Sequence, residues 1–167
     1  MTPLFSQPFD ALETGDRFTT RGRTVTESDV SGFAGLTGDF HPQHVDDEWA
    51  SAGPFGGRIA HGLLVLSFAA GLVPFDPERV MALRRVRDVV FKRPVRLGDT
   101  IRVEGRVADL KPVDDNAGLV AVALNVTGAN GQTVTRATVE VLWRRDVVAN
   151  GEAAPADLAD ALTCVPL

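Results

Sequence analysis

Residues 62–72 read GLLVLSFAAGL, a run in which Ser67 is the only side chain with a polar group. Placed on a helix, this run is apolar on every side, and a helix of that kind is buried all round instead of lying on a surface. The rest of the chain must therefore cover it. A strongly curved sheet wrapped around Gly62–Leu72 is the most economical cover, and the run predicts that arrangement.

Downstream of this run the sequence changes to strand character. Val80–Phe91 has two clusters of apolar residues, and Ile101–Val107 largely alternates apolar and charged residues, as in a strand with one solvated face. Apolar residues recur with period two over residues 120–126. Asn130-Gly131, a strong hairpin signal, separates them from a last strand over Thr133–Arg144. We expect a largely antiparallel sheet in the second half of the chain.

Upstream of the apolar run the pattern is mixed. Arg17–Val25 is predicted as a first strand, and Glu27–Leu36 as a short amphipathic helix that Thr26 caps. A second short helix is expected over Glu48–Ala52. Helices early and strands late predict an α+β fold, with a curved antiparallel sheet around a central buried helix. An exposed edge of that sheet invites pairing with a second copy of the chain.

Length and composition predict one domain without nucleic-acid partners. The 167 residues divide into an N-terminal lead-in (1–16), a domain (17–145) and a C-terminal tail (146–167) that we expect to be loosely held. The net charge is −5, from 17 Lys+Arg against 22 Asp+Glu. Because binding to nucleic-acid phosphates needs a strong basic surface, this charge argues against nucleic acid as the main partner.

Cysteine usage and the apolar segments indicate the compartment. The single cysteine, Cys164, has no partner for an intramolecular disulfide, which fits a reducing compartment. The first residues lack the basic and apolar regions of a secretory signal. The longest apolar stretch, Leu63–Phe75, is too short to span a bilayer, which takes about 20 residues. We therefore expect a soluble, cytoplasmic protein with no membrane association.

All three histidines of the chain, His41, His44 and His61, fall between residues 41 and 61, with Asp39 beside the first. Spacing alone leaves three interpretations open. In the first, Asp39 caps a turn and the histidines are ordinary polar loop residues. In the second, these four side chains bind a metal ion, although Pro42 restrains the loop and no thiolate is near. In the third, Asp39 and His44 perform acid–base chemistry.

The acid–base interpretation requires a proton carrier and a stabiliser of negative charge. A carboxylate and an imidazole can jointly hold one water, accept its proton and return a proton to carbon or oxygen. Gly62 opens the apolar helix, and its backbone N–H, with no side chain in the way, is a candidate oxyanion donor. An N-cap or a tight turn explains the same glycine equally well.

Several spaced motifs together resemble one known family. They are GDFHPQH (38–44), GPFG (53–56), IAHG (59–62) and FKRPVRLGDT (91–100). In this combination they resemble the MaoC-like dehydratase, or (R)-specific enoyl-CoA hydratase, family, and the resemblance extends over residues 17–145. Several motifs in order are far more specific than any one of them.

The resemblance implies a hotdog fold, in which the curved antiparallel sheet wraps around the central helix, and a homodimer or larger assembly of paired hotdogs. It implies a hydro-lyase that reversibly adds water to trans-2-enoyl thioesters, giving (3R)-3-hydroxyacyl thioesters. By position, Asp39 and His44 are the catalytic pair and the Gly62 N–H is the oxyanion donor. The family usually has Asn where this chain has His41, a departure that bears on local hydrogen bonding and on substrate choice.

Four further residues are candidates for substrate binding. His41 lies within the motif, and His61 either shapes the start of the helix or is a structural histidine. Ser67 is placed to hydrogen-bond toward the site or, as is commoner, to bond its own helix backbone. Arg93 and the neighbouring basic residues are candidates to attract the phosphates of coenzyme A or of a carrier-protein arm, the alternative being a solvent-facing charged strand edge.

Two alternatives accompany the hydratase interpretation. A dehydratase for 3-hydroxyacyl chains on an acyl carrier protein, in fatty-acid or polyketide synthesis, shares the chemistry and differs in how the thioester is presented. A non-catalytic hotdog subunit or acyl-binding partner belongs to another class, and the intact Asp39/His44 pair argues against it. No metal or separate cofactor is expected, because coenzyme A or the carrier phosphopantetheine arrives as part of the substrate. The sequence does not specify acyl chain length.

Overall fold

The computed structural model describes residues 3–146 of the chain. Within this range it contains four α-helices, six β-strands and two short 3-10 turns near the N-terminus. The helices are α1 (Glu27–Thr37), α2 (Pro42–Val45), α3 (Asp47–Ala52) and α4 (Gly62–Leu72). The strands are β1 (Arg17–Thr19), β2 (Arg23–Thr24), β3 (Val80–Phe91), β4 (Thr100–Pro112), β5 (Ala117–Thr127) and β6 (Thr133–Arg144).

The six strands form one curved antiparallel sheet. Its order is β1-β4-β5-β6-β3, with β2 also paired to β4. Helix α4 packs against one face of this sheet. Its buried residues Leu64, Val65 and Ala69 belong to the same hydrophobic cluster as Val103 of β4 and Val139 of β6. The predicted α+β class and the hotdog arrangement of sheet and central helix are confirmed.

Helix α4 has the predicted bounds, but it is not buried on every side. Leu63 is 60% exposed, and Ser67 and Gly71 are exposed as well. These residues recur every four positions, so they form one stripe along the helix. The prediction of burial all round is wrong for the single chain, because one sheet, however curved, covers only part of the circumference of a helix.

The N-terminal lead-in is part of the hydrophobic core. Phe5 and Phe9 are buried, and the Trp143 indole N–H donates to the Gln7 carbonyl at 2.9 Å. Phe5 also lies edge-on to Phe18, with ring centroids 4.7 Å apart. The domain therefore begins before residue 17, at the two short turns that carry these phenylalanines.

Part of the sequence lies beyond the described range. The predicted tail, residues 146–167, is outside it except for Asp146, and so is Cys164. The loose packing expected of the tail stays a prediction. Among residues 3–146, none of the helices has the length and hydropathy needed to cross a membrane.

Helix α1 leads into the histidine motif. Thr26 caps it as predicted, through reciprocal bonds: the Asp29 N–H donates to Thr26 Oγ1 at 3.2 Å, and the Thr26 N–H donates to the Asp29 carboxylate at 2.8 Å. The helix ends at Gly38, whose φ of 77° favours glycine. The chain therefore turns sharply directly before Asp39.

The strand predicted over Arg17–Val25 is two short strands, β1 and β2.

The connection between β5 and β6 is the predicted hairpin. It runs over residues 128–132, where the Gly128 N–H donates to the Gln132 carbonyl at 2.9 Å and Gly131 has a φ of 71°. The Asn130-Gly131 signal is confirmed, in a loop longer than the two-residue turn such a signal favours most.

Candidate active site

Asp39 lies in the loop between α1 and α2 and is held from both sides. Its backbone N–H donates to the Thr37 hydroxyl at 3.3 Å, and its carboxylate Oδ1 accepts from the His41 backbone N–H at 3.3 Å. The side chain is 53% exposed. The carboxylate is therefore oriented by the backbone and open to a ligand.

Helix α2 is a single turn that the sequence patterns do not predict, and His41 caps it. The His41 Nδ1 accepts from the Gln43 backbone N–H at 3.2 Å, and Pro42 occupies the first helical position. The side-chain oxygen of an asparagine accepts the same bond at an N-cap. His41 therefore supplies the N-cap of α2, through a bond that an asparagine at this position could also accept. Its exposed ring also lies edge-on to Trp49, with centroids 5.4 Å apart.

His44 follows in α2 and is almost fully buried, at 4% exposure. Its Nδ1 lies 2.7 Å from the Ile59 carbonyl oxygen, which can only accept a hydrogen bond, so Nδ1 carries the proton. The neutral ring then has its lone pair on Nε2, which accepts from the Gln43 side-chain amide at 3.1 Å. Burial lowers the pKa of His44 by more than the bond to Ile59 raises it. The ring is held as a neutral base, with Nε2 as the basic atom.

The side chains of Asp39, His44 and His61 lie close together. A carboxylate oxygen of Asp39 and one ring nitrogen of each histidine all lie within 4.8 Å of one another. A water molecule that makes two hydrogen bonds of about 2.8 Å spans a separation of this size. The structure thus brings together the two side chains that the sequence pairs, Asp39 and His44, at a distance that one bridging water fits.

The same three side chains are the metal-ligand candidates among the described residues. The rings of His44 and His61 are stacked, 26° from parallel, and each has one nitrogen bonded to a carbonyl oxygen. Lone pairs on nearly parallel rings do not converge, whereas zinc requires ligands arranged tetrahedrally around one point. His41, the other histidine considered from sequence, caps α2 through Nδ1. The geometry suits proton transfer better than metal binding.

Gly62 opens helix α4 beside the His44 ring. The first N–H groups of a helix have no acceptor within the helix, and no described side chain caps this N-terminus. Gly62 and His44 both line a cavity of about 280 Å³ with mainly apolar walls. A Cβ at position 62 would lie 3.0 Å from the Phe91 ring, which explains the glycine by close packing. The Gly62 N–H is an available donor at the cavity wall.

The weaker candidates occupy different places. Arg93 lines the cavity, and its guanidinium also donates to a carbonyl of β6 at 2.8 Å. Arg96 donates to carbonyls of the 53–57 loop and so holds that loop instead of a ligand. Ser67 donates to the Leu63 carbonyl of its own helix at 2.8 Å. A substrate-binding role for Ser67 is therefore not supported, because its hydroxyl proton is used in the commoner way.

Two residues that line the cavity, Gln43 and Phe91, are not predicted from the sequence. The Gln43 side-chain amide donates to His44 Nε2, and Phe91 packs on Gly62. Both lie inside the quoted motifs, but only packing distinguishes them from their neighbours. A larger cavity, about 580 Å³, lies between Arg17 and Arg136; of the candidate residues it contains only Lys92, a basic neighbour of Arg93.

Comparison with known proteins identifies the family. The model of the family described as MaoC like domain matches residues 10–130. Over 90 residues, 54% of this chain, the sequence is 37% identical to the 3-hydroxybutyryl-CoA dehydratase of Methylorubrum extorquens and to the (R)-specific enoyl-CoA hydratase of Rhodospirillum rubrum. These matches cover 57% and 62% of the two relatives, so the chain spans less than two thirds of their length.

A solved structure extends the comparison to the fold. The monoamine oxidase regulatory protein from Archaeoglobus fulgius is 38% identical and superposes with a TM-score of 0.78, over 83% of this chain and 95% of that one. The family model covers most of the described domain, from the second N-terminal turn to the β5–β6 hairpin. By its sequence over that range, and by the hotdog fold it adopts, the chain belongs to the MaoC-like domain family.

Proposed function

We propose that this protein is a hydro-lyase that reversibly hydrates trans-2-enoyl thioesters to (3R)-3-hydroxyacyl thioesters, with acyl-CoA as the substrate class. The observation that carries the proposal is that His44 and Gly62 line one cavity and that the Asp39 carboxylate lies beside His44. The His44 imidazole carries its proton on Nδ1 and accepts from the Gln43 amide through Nε2, and one of its ring nitrogens lies within 4.8 Å of an Asp39 carboxylate oxygen. The N–H of Gly62 lies on the wall of the same cavity.

The reaction is written from these three groups. One water takes the place of the Gln43 amide at His44 Nε2 and is held between His44 and Asp39, and Nε2 accepts its proton as the oxygen attacks C3 of the enoyl group. The thioester oxygen gains negative charge, which the Gly62 N–H stabilises. The imidazolium beside the Asp39 carboxylate then returns the proton to C2, so the elements of one water are added across the double bond. Dehydration follows the same steps in reverse.

The cavity suits the acyl end of a thioester. Its walls are mainly apolar, and a volume of about 280 Å³ is at the small end of the range usual for ligand pockets. Lys92 and Arg93 also line it, and two cations there support the binding of a substrate that carries phosphates, such as coenzyme A or a phosphopantetheine arm. Relatives of this chain are named for both hydration and dehydration, and both directions use the same groups.

Activity assays on a panel of thioesters test the proposal. Purified protein is mixed with crotonyl-CoA, with longer 2-enoyl-CoAs and with the matching carrier-protein thioesters, and loss of the conjugated thioester absorbance is followed. We expect turnover of about 1–10³ per second on short enoyl-CoAs and a product of the (3R) configuration. Faster turnover on carrier-protein thioesters would favour the dehydratase of fatty-acid or polyketide synthesis. No turnover on any thioester would favour a non-catalytic acyl-binding subunit.

A homodimer through strand β3 belongs to the same proposal. β3 is a 12-residue edge strand, whereas the strand at the other end of the sheet order, β1, has three residues. Leu83, Val86 and Val90 of β3 are exposed, and a long apolar edge favours pairing with another strand. We expect sedimentation equilibrium to show twice the chain mass, and Val86→Lys to show the monomer mass. A dimer that persists in the lysine variant would place the interface elsewhere.

No separate cofactor enters the proposed reaction, because the acyl carrier, coenzyme A or phosphopantetheine, is part of the substrate. The absence of a metal requirement and the cytoplasmic location stay predictions. Treatment of active protein with a strong chelator, followed by the crotonyl-CoA assay, checks the first of them; loss of activity that zinc restores would contradict it.

A further inference from the structure

One side chain connects the proposed catalytic groups with one another. The His61 ring stacks on His44, with centroids 3.8 Å apart. Its Nε2–H donates to the backbone carbonyl of Asp39 at 3.0 Å. His61 is also the residue directly before Gly62, where α4 begins. No motif spacing assigns this histidine a part in the chemistry.

We propose that His61 is a positioning residue of the hydration site, which holds Asp39 in place relative to His44 and keeps the His44 ring neutral. This inference rests on the proposed function, because it assigns His61 a part in the same reaction. It goes beyond that function in naming a residue that touches neither water nor thioester and acts through the two that do.

Asp39 is held in position by His61 as well as by its neighbours in sequence. Its other hydrogen bonds, to Thr37 and His41, are local and lie within two residues of it. The bond from His61 is different, because it ties the Asp39 backbone to the N-cap residue of α4, the helix that begins at Gly62. The His61 ring also packs on Phe33 of α1, with centroids 5.1 Å apart. The ring therefore joins α1, α2 and α4 at the site.

The hydrogen bonding of the His61 ring indicates a role beyond packing. His61 is 3% exposed, and its Nδ1 has no hydrogen-bond partner among the described residues. A phenyl ring would fill the same space without burying an unpartnered nitrogen, which costs free energy. A histidine at this position is explained by the N–H that it presents to Asp39 and by a ring that can carry charge.

The stacking of His61 on His44 also opposes a positive charge on the His44 ring. Two imidazolium rings 3.8 Å apart repel strongly in a buried site, so a proton on His61 opposes a second proton on His44. The other charged or titratable groups that face His44 are Asp39, whose carboxylate favours the imidazolium, and His41, which opposes it. Lys92 and Arg93 add positive charge at the cavity wall. The pKa of His44 is lowered chiefly by burial and also by His61.

Two variants separate the hydrogen bond from the ring. His61→Gln places an amide N–H where the Nε2–H lies and removes the ring, whereas His61→Phe keeps the ring and removes the N–H. We expect His61→Phe to lower kcat about 10–100-fold with KM within about threefold, because a small displacement of a reacting group has effects of this size. His61→Gln should recover most of kcat. In both variants the acidic limb of kcat/KM should move to higher pH.

A nuclear magnetic resonance titration tests the inference without any activity. The chain has three histidines, so the ring resonances are few and assignable. We expect the wild type to carry the His44 proton on Nδ1 and the His61 proton on Nε2, and we expect the pKa of His44 to rise in His61→Gln. If wild type hydrates no thioester, the proposed function fails while this titration still decides the role of His61.

Trp143→Phe is the matched control. It also replaces a buried ring that donates one N–H to a carbonyl, that of Gln7, and Trp143 is not among the residues that line the cavity. It should lower the melting temperature without changing kcat or the pH profile. A His44 pKa unchanged in His61→Gln, or a loss of kcat in His61→Phe that the glutamine does not restore, would overturn the proposal. So would unfolding of both His61 variants.

Discussion

Asp39→Asn is expected to lower kcat for enoyl-CoA hydration by about 10²–10⁴-fold, the usual contribution of a positioned acid–base group. Asparagine has almost the same shape and can still accept the bond from the His41 backbone N–H. What it loses is the negative charge beside the water and beside the imidazolium that forms at His44. Because the substitution changes charge and leaves shape, the loss should appear in kcat with little change in KM or melting temperature.

Asp46→Asn provides the control for this variant. Asp46 lies seven residues downstream on the same segment, and its carboxylate caps α3 by accepting from the Trp49 N–H at 2.9 Å. Asparagine caps a helix as well as aspartate does, so both activity and stability should stay at wild-type levels. Wild-type rates in Asp39→Asn, measured by the crotonyl-CoA assay, would remove Asp39 from the mechanism.

The second large effect is expected at His44. Both His44→Ala and His44→Asn lack the basic Nε2, so each should lose about 10²–10⁴-fold in kcat. The two variants differ in whether the Ile59 carbonyl keeps a hydrogen-bond donor. The asparagine amide can replace Nδ1–H as the donor to the Ile59 carbonyl, whereas alanine leaves that buried acceptor unpaired. His44→Ala should therefore be less stable by about 1–3 kcal/mol, and equal loss of activity in the two would separate chemistry from folding.

The lowered pKa of His44 also predicts a pH dependence. Since burial holds this pKa below its ordinary value of about 6.5, the neutral, active ring should persist in the folded protein below that pH. The unfolded chain takes up the proton first, so the stability from His44 is complete above about 6.5 and declines as the pH falls toward the folded pKa. Denaturation midpoints of wild type and His44→Asn, compared between neutral and mildly acidic pH, measure it; equal slopes would contradict the prediction.

Local signals predicted those elements whose cause is local. The Thr26 cap, the bounds of α4 and the Asn130-Gly131 hairpin each depend on residues adjacent in sequence, and all three are confirmed. Helix α2 was missed because a four-residue turn has no periodicity to detect. It forms because the His41 ring supplies the cap, a role that asparagine and not histidine usually signals.

The part of the site that spacing could not predict comes from packing. Gln43 and Phe91 touch His44 and Gly62, but they become distinct from their neighbours only when α2, α4 and β3 meet. The exposed stripe of α4 around Leu63 likewise depends on packing and not on the local sequence. Composition specifies that a helix is apolar, whereas the number of its sides that are covered depends on how far the sheet curves.

Sequence alone determined the fold class and the family resemblance, because these depend on patterns that the chain carries locally; through that resemblance it also predicted the pairing of Asp39 with His44. Tertiary structure decided which nitrogen of His44 is basic, since that choice depends on the Ile59 carbonyl from another segment. It also decided that His61 stacks on His44 instead of standing apart. A proton is located by the partner that accepts it, and that partner is brought near only by folding.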